Sequence, residues 1–504
     1  MLTREPCRRG RSPESATRRG WAYHPKPDLQ ERAEFPVISR RTKIDAARVP
    51  VSHSILLLLL IASLGGCSPE RTTGGAESRR RNLILVSIDT LRADHLETYG
   101  YERKTAPNLA RLAREGIVFE AARSQSSWTL PSLASIHTSL YPTQHGALTK
   151  EGALGDELVT ISEVLRDSGY RTAAITSHFF ADAQHGFAQG FGSFDETQVR
   201  GHGAVTSNEI TDLGEEMLED LAREDSDAPF FMWLHYFDSH YTYVRHATHD
   251  FVEDYDGPLG NRITAKRLSR MNRAGKVTPA DIDYLIDLYD GEVAFQDDAI
   301  GRLLRSLGRL GLADDTVIVL TADHGEGLMD RDHFFHGHYV YDELIRVPLV
   351  IGGAIPEALR GLRIEGPIEV ASIPATLAEL AQVDAHGFRG PSLLEVARAG
   401  VLPRFAISEA ISGEDDSKRR VAVVNGDWKL IHSLPADEYE LFDLGSDPGE
   451  RQNRFGDTGP GVAAVRDELV AGLARHREIE GFDGPTLELT EEQNRHLREL
   501  GYVY

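Results

Sequence analysis

Five stretches of this 504-residue chain are apolar runs with β character: "NLILVSID" (82–89), "RTAAITS" (171–177), "APFFMWLHYFD" (228–238), "TVIVLTADHG" (316–325) and "VPLVIGG" (347–353). A strand with one wet face alternates polar and apolar residues, so a continuous apolar run needs cover on both faces. Helical stretches lie between the runs, among them "TAPNLARLAREG", "ELVTISEVLRDSG" and "DYLIDLYDGEVAFQDDAIGRLLRSLGRLG". Strands alternating with helices predict an α/β fold with a mostly parallel central sheet flanked by helices. Sheets of this kind gather functional groups beyond the carboxyl ends of their strands. That edge here carries Asp89, His235, Asp238, His240, Asp323 and His324.

From about residue 403 the texture changes. "RFAISEA", "RRVAVVNGDWKLIHSL" and "YELFDLGSDPGE" read as short antiparallel strands with tight turns, and helical segments follow. The expected organisation is an N-terminal extension with an export segment (1–67), a tether (68–81), a catalytic α/β domain (82–400) and a smaller C-terminal α+β subdomain (401–504).

Charge and cysteine usage narrow the class. The formal net charge is −23, and twelve of the basic residues precede Cys67, leaving 43 basic against 72 acidic residues after it. So acidic a body is a poor nucleic-acid binder, because phosphate contacts need clustered cations. The two cysteines, Cys7 and Cys67, give the body no disulfide framework. A basic flank, the apolar run Ile55 to Leu64 and then Leu64-Gly65-Gly66-Cys67 resemble a bacterial lipobox. The run is too short to span a bilayer and fits the apolar region of an export signal. The expectation is an exported lipoprotein of the bacterial cell envelope, held at the membrane by a lipidated Cys67. A plain secretory signal is the alternative.

Several residues at the predicted sheet edge suit metal chemistry. Asp89 ends the first strand, where a carboxylate serves either as a hard-metal ligand or as a helix cap. Asp323 and His324 occupy the same place on a later strand. "LHYFDSHYTY" adds His235, Asp238 and His240, and "DRDHFFHGHYVYDE" adds His333, His336 and His338, which a solvated loop would also explain. Pro131 suits the first turn of a helix, whose free N–H groups favour an anionic ester. Thr129 lies at that end, as a reactive hydroxyl or merely as a cap.

Taken together, Asp89, "TLPSLASIHTSLYP" (129–142), "DHGE" (323–326) and "HGHYVYDELIRVP" (336–348), continued by "GDWKLI" and "ELFDLGSDPGE", resemble the sulfatase branch of the alkaline phosphatase superfamily over roughly residues 80–504. That resemblance implies an alkaline phosphatase-like α/β fold and a divalent metal (calcium, zinc or manganese) held by Asp89, Asp323 and His324. It also implies Thr129 as metal ligand and nucleophile. His240 matches a family histidine that touches the substrate or leaving group, and His336 falls where many sulfatases keep a Lys or His beside the ester.

The departures from the family bear on chemistry. Thr129 stands where sulfatases oxidise a Cys or Ser to formylglycine, and a secondary alcohol cannot give that aldehyde, so formylglycine is not expected. Leu133 replaces the motif's Arg, Thr90 the second Asp and Ser139 the Gly, and "TSHF" (176–179) stands in place of a Lys-bearing segment, leaving Ser177 and a displaced His178. The leading expectation is a metal-dependent sulfatase-like hydrolase acting on sulfate or phosphate esters. A phosphodiesterase or phosphoethanolamine-type transferase at the cell envelope is the alternative within enzymes. A surface-binding lipoprotein without catalysis is the alternative outside them.

Overall fold

The computed structural model describes residues 80–199, 206–223, 227–385, 387–411, 419–434 and 436–499; Cys67 and the export segment lie outside them. Eight strands form the central sheet: β1 (Asn82–Ile88), β2 (Ile117–Arg123), β3 (Arg171–Thr176), β4 (Ser193–Asp195), β5 (Phe230–Tyr236), β6 (Thr316–Ala322), β7 (Leu349–Gly353) and β8 (Arg363–Glu369). Their spatial order is β8-β2-β7-β6-β1-β5-β3-β4. All run parallel except β7, which is antiparallel to both of its neighbours.

The apolar runs form the middle of this sheet because both faces are covered. Leu83 to Val86, Phe231 to Leu234 and Val317 are fully buried. Each such side chain contributes about 1.5–3 kcal/mol through burial. Register then sets function: Ile88 pairs with Tyr236 on one side and with Ala322 on the other. The residues that follow β1, β5 and β6 therefore leave the sheet side by side.

Helices α1 (Pro107–Glu115), α2 (Thr129–Thr138), α3 (Ser207–Arg223) and the long α4 (Pro279–Arg309) are among those that cover the sheet. α4 starts with proline in its first turn and a capping box between Thr278 and Asp281, which satisfies its first free N–H groups. Among the described residues no helix is long and apolar enough to cross a membrane.

Four antiparallel strands make the second sheet: β9 (Ala406–Ala410), β10 (Arg419–Asn425), β11 (Trp428–Leu434) and β12 (Glu438–Asp443), in sequential order. α5 (Pro460–Arg477) packs on it. β9 is bonded to the stretch just before α2: the Glu409 N–H donates to the Gln125 carbonyl (2.8 Å) and the Ser408 hydroxyl to the Ser124 carbonyl (2.6 Å).

Candidate active site

The six residues singled out for catalysis and metal binding converge at the carboxyl edge of the central strands. Asp89 follows β1, Asp323 and His324 follow β6, and His240 lies four residues beyond β5. Thr129 arrives from the other direction, as the first residue of α2, with Trp128 at the cap position and no side-chain capping bond. Its hydroxyl is thus not spent as a helix cap. It is fully buried and lies 3.2 Å from His324 Nε2.

Around that hydroxyl the two carboxylates close in. His324 Nε2 is 3.7 Å from Asp89 Oδ1 and 3.4 Å from Asp323 Oδ2. Asp323 Oδ1 accepts the N–H groups of His324 (2.7 Å) and Thr90 (3.2 Å), which fixes the carboxylate plane. Asp323 Oδ2 and both oxygens of Asp89 are buried without a hydrogen-bond partner. Burial pushes Asp89 well above the usual carboxylate range, and the charge of Glu326 adds to it. Asp323 is pushed up by burial and then by Asp89. Orphaned, mutually repelling carboxylate oxygens fit a hard divalent cation, whose charge would reverse this logic.

Tautomers sort the histidines. His324 Nδ1–H donates to the Gly325 carbonyl (2.8 Å) and His240 Nδ1–H to the Tyr241 carbonyl (2.6 Å). Each therefore keeps an Nε2 lone pair for the pocket. His178 is the reverse, since its Nδ1 accepts the Phe180 N–H (3.1 Å), so in the neutral ring the proton sits on Nε2. That atom is 3.7 Å from Asp89 Oδ2. Asp89, His178 and His240 form one potential metal-binding group and Asp89, Asp323 and His324 another. The tautomers favour the second, with His178 better suited to donate a hydrogen bond than to ligate.

Other sequence features take different places. Asp238 is not free for a metal: its oxygens accept the N–H groups of Thr206 (2.7 Å) and Ser207 (3.0 Å) at the start of α3. His336 does join the site, its ring 4.4 Å from that of His324 and 4.9 Å from that of His240. Its Nδ1 is 3.0 Å from Glu326 Oε1. Glu326 received no role from the sequence, although its place two residues after His324 in "DHGE" was the available signal. Leu133 is fully buried in the core. Ser139 has a φ of 65°, the left-handed conformation that favours the motif's glycine. Its hydroxyl donates to the Ala371 carbonyl (2.6 Å) and accepts the Arg389 N–H (2.8 Å).

Comparison with known proteins gives a consistent picture. A family model described as Sulfatase matches residues 81–383. The N-acetylglucosamine-6-O-sulfatase of Bacteroides thetaiotaomicron is 24% identical over 493 residues, covering 80% of this chain and 87% of that protein. A protein solved in complex with its substrate D-glucosamine-2-N,6-O-disulfate matches the fold with a TM-score of 0.67 at 22% identity, over 79% of this chain and 98% of that one. The phosphonate monoester hydrolase of Agrobacterium radiobacter matches with a TM-score of 0.63 at 20% identity, over 82% and 99% respectively.

Proposed function

The chain belongs to the sulfatase family of the alkaline phosphatase superfamily, and from that premise we propose that it is a metal-dependent ester hydrolase whose nucleophile is the Thr129 hydroxyl. The observation that carries the reading is that this hydroxyl is free of capping duty and lies 3.2 Å from His324, among orphaned carboxylate oxygens. Asp89, Asp323 and His324 would hold the divalent metal. Such an ion lowers the pKa of a neighbouring hydroxyl and neutralises charge on the ester.

The chain's own residues supply the rest. Thr129 Oγ1 gives its proton to a neighbouring imidazole Nε2 lone pair and bonds to sulfur or phosphorus as the ester oxygen leaves with that proton; water then displaces the group, returning a proton to Thr129 Oγ1. The Nε2 of His240 and of His336 are the candidates for handling the leaving group's proton. A threonine ester cannot collapse through an aldehyde, so release depends on displacement by water. That favours phosphorus over the formylglycine route to sulfate. The fold is shared both with a phosphonate monoester hydrolase and with the protein that binds a disulfated glucosamine, so the preference rests on Thr129 itself.

A second reading, phosphodiesterase or phosphoethanolamine-type transfer at the cell envelope, draws on the family cations that this sequence replaces. Leu133 and Ser177–His178 stand where the family motifs carry cations, which suits an ester of low negative charge. Lipidation of Cys67 would hold the enzyme at the envelope membrane, and Cys67→Ala would then release it to the soluble fraction.

The deciding experiment measures bound metal in the purified chain. It also assays an aryl sulfate, a phosphate monoester and a phosphodiester beside Thr129→Ala. Turnover is expected to fall at least about a thousandfold in the variant; unchanged turnover would sink the nucleophile assignment. A modified acceptor in place of free phosphate would indicate transfer. Inertness toward every ester, with no bound metal, would point to a binding lipoprotein.

A further inference from the structure

The Nδ1 partners of His324, His240 and His336 in the pocket are of two kinds. His324 and His240 donate to neutral backbone carbonyls, whereas His336 Nδ1 faces a carboxylate oxygen of Glu326. Glu326 is buried and its side chain is held at both ends. Oε1 also accepts the Gly327 N–H (3.2 Å), and Oε2 accepts the Tyr243 hydroxyl (3.3 Å). The Glu326 backbone is pinned too, its carbonyl accepting Arg92 Nη1 at 3.0 Å. Burial pushes the Glu326 carboxyl up to about 8, so one proton lies between Oε1 and Nδ1 and the surrounding donors decide its place. The Gly327 N–H and the Tyr243 hydroxyl already donate to Oε1 and Oε2, which favours the carboxylate and leaves the proton on Nδ1.

We infer that Glu326 is a positioning residue for the reaction: it holds the Nδ1–H of His336, fixing that ring's tautomer and aiming Nε2 into the pocket beside Thr129. The inference rests on the proposed hydrolase reading for its kinetic consequences, but not for the tautomer itself. A third group that orients a catalytic imidazole is a recurring arrangement, because an imidazole with an unpartnered Nδ1 can flip or exchange tautomers. Here the orienting group comes from the same strand-end turn as Asp323 and His324. Tyr243, which steadies it, belongs to the segment that carries His240. The geometry of the two sides of the pocket is thereby tied to one carboxylate.

The test uses the full chain with 15N-labelled histidine and the variants Glu326→Gln, Glu326→Ala and His336→Ala, the last identifying the His336 signals. Wild type and Glu326→Gln should show His336 protonated at Nδ1, and Glu326→Ala should shift it toward the Nε2–H tautomer. On an ester with a poor leaving group, Glu326→Ala should lower kcat about 10–100-fold with KM little changed. Glu326→Gln should recover most of that loss. The double variant Glu326→Ala/His336→Ala should be no slower than His336→Ala alone. Metal content should stay at the wild-type level throughout.

An unchanged His336 tautomer in Glu326→Ala would overturn the inference, as would additive losses in the double variant. Metal loss in Glu326→Ala and Glu326→Gln alike would overturn it too, by showing that Glu326 supports the metal loop. Failure of the hydrolase reading itself would appear separately, as full activity in Thr129→Ala or as no ester turnover by wild type. The tautomer measurement decides the positioning role even then.

Discussion

Tyr289 shows how single side chains hold the site open for chemistry. It projects from α4 and is fully buried; its hydroxyl donates to the Thr90 carbonyl (2.8 Å) and accepts the Arg92 N–H (2.9 Å). Thr90 has a φ of 54°, a conformation that costs a non-glycine residue about 1–2 kcal/mol. The turn after Asp89 is therefore held from outside rather than favoured by its own backbone. Tyr289→Phe removes both bonds while keeping the ring, and leaves two buried backbone groups unpaired. The expected cost is about 2–4 kcal/mol in urea denaturation, together with weaker metal binding by calorimetric titration. A cost below about 0.5 kcal/mol would mean that the turn holds itself. At this scale the meeting of Asp89, Thr129, Asp323, His324, His240 and His336 at one edge of the sheet was legible in the sequence, because each follows a strand or sits in a motif. The tautomer of His178, the capping duty of Asp238 and the partner of His336 were not, since they depend on hydrogen bonds between segments far apart in the chain.

At the scale of elements, α2 carries the Thr129 hydroxyl at one end and a buried titratable group near the other. His137 packs edge-on against Trp233, ring centroids 4.3 Å apart, and its Nε2 has no hydrogen-bond partner. Burial, with a smaller contribution from His235, pushes its pKa down to about 3. In the unfolded chain the same imidazole binds a proton near pH 6.5. Below that pH the unfolded state holds the extra proton, so the stability this group permits is complete above pH 6.5. It is lost as pH falls toward 3. The slope reaches about 1.4 kcal/mol per pH unit. His137→Phe keeps an aromatic ring and removes the titration, so any packing offset is constant with pH. Wild-type minus variant stability, from urea denaturation between pH 7.5 and 4.5, should be flat above pH 6.5 and fall below it. A difference that stays flat throughout would contradict the burial argument. The elements themselves were unevenly legible. The apolar central strands β1, β3, β5, β6 and β7 stood out, whereas β2 and β8 did not. β2 mixes Glu120 and Arg123 into its run, and β8 contains Pro367 at a register shift, both features of strands away from the sheet's centre.

Across the whole molecule, the C-terminal sheet is joined to the catalytic segment through a buried lysine. Lys429, on β11, is fully buried, with Nζ 2.8 Å from Asp342 Oδ1 and 2.8 Å from Glu450 Oε1. Asp342 also pairs with Arg123 at the end of β2 (2.8 Å). Burial would raise the Asp342 carboxyl, but Arg123 and then Lys429 hold it well below the usual carboxylate range. The polar network reaches the active site from two sides. Asp342 opens the short helix Asp342–Ile345, six residues after His336. The Ile345 carbonyl in turn accepts the Ser124 N–H (2.8 Å), just ahead of the Thr129 turn. Removing one member of a buried ion pair leaves the other charges uncompensated, at a cost of about 3–5 kcal/mol. Lys429→Met is accordingly expected to lose about that much stability, and to slow turnover without touching any group in the pocket. Adding Glu450→Gln removes one stranded charge and should recover part of the stability. A Lys429→Met variant costing under about 1 kcal/mol would show that Arg123 alone suffices for Asp342. If stability fell while kcat stayed at the wild-type value, the sheet would be a passenger on the fold. A joint fall makes it a working part of the site, because the strand carrying Lys429 then sets the positions of Thr129 and His336.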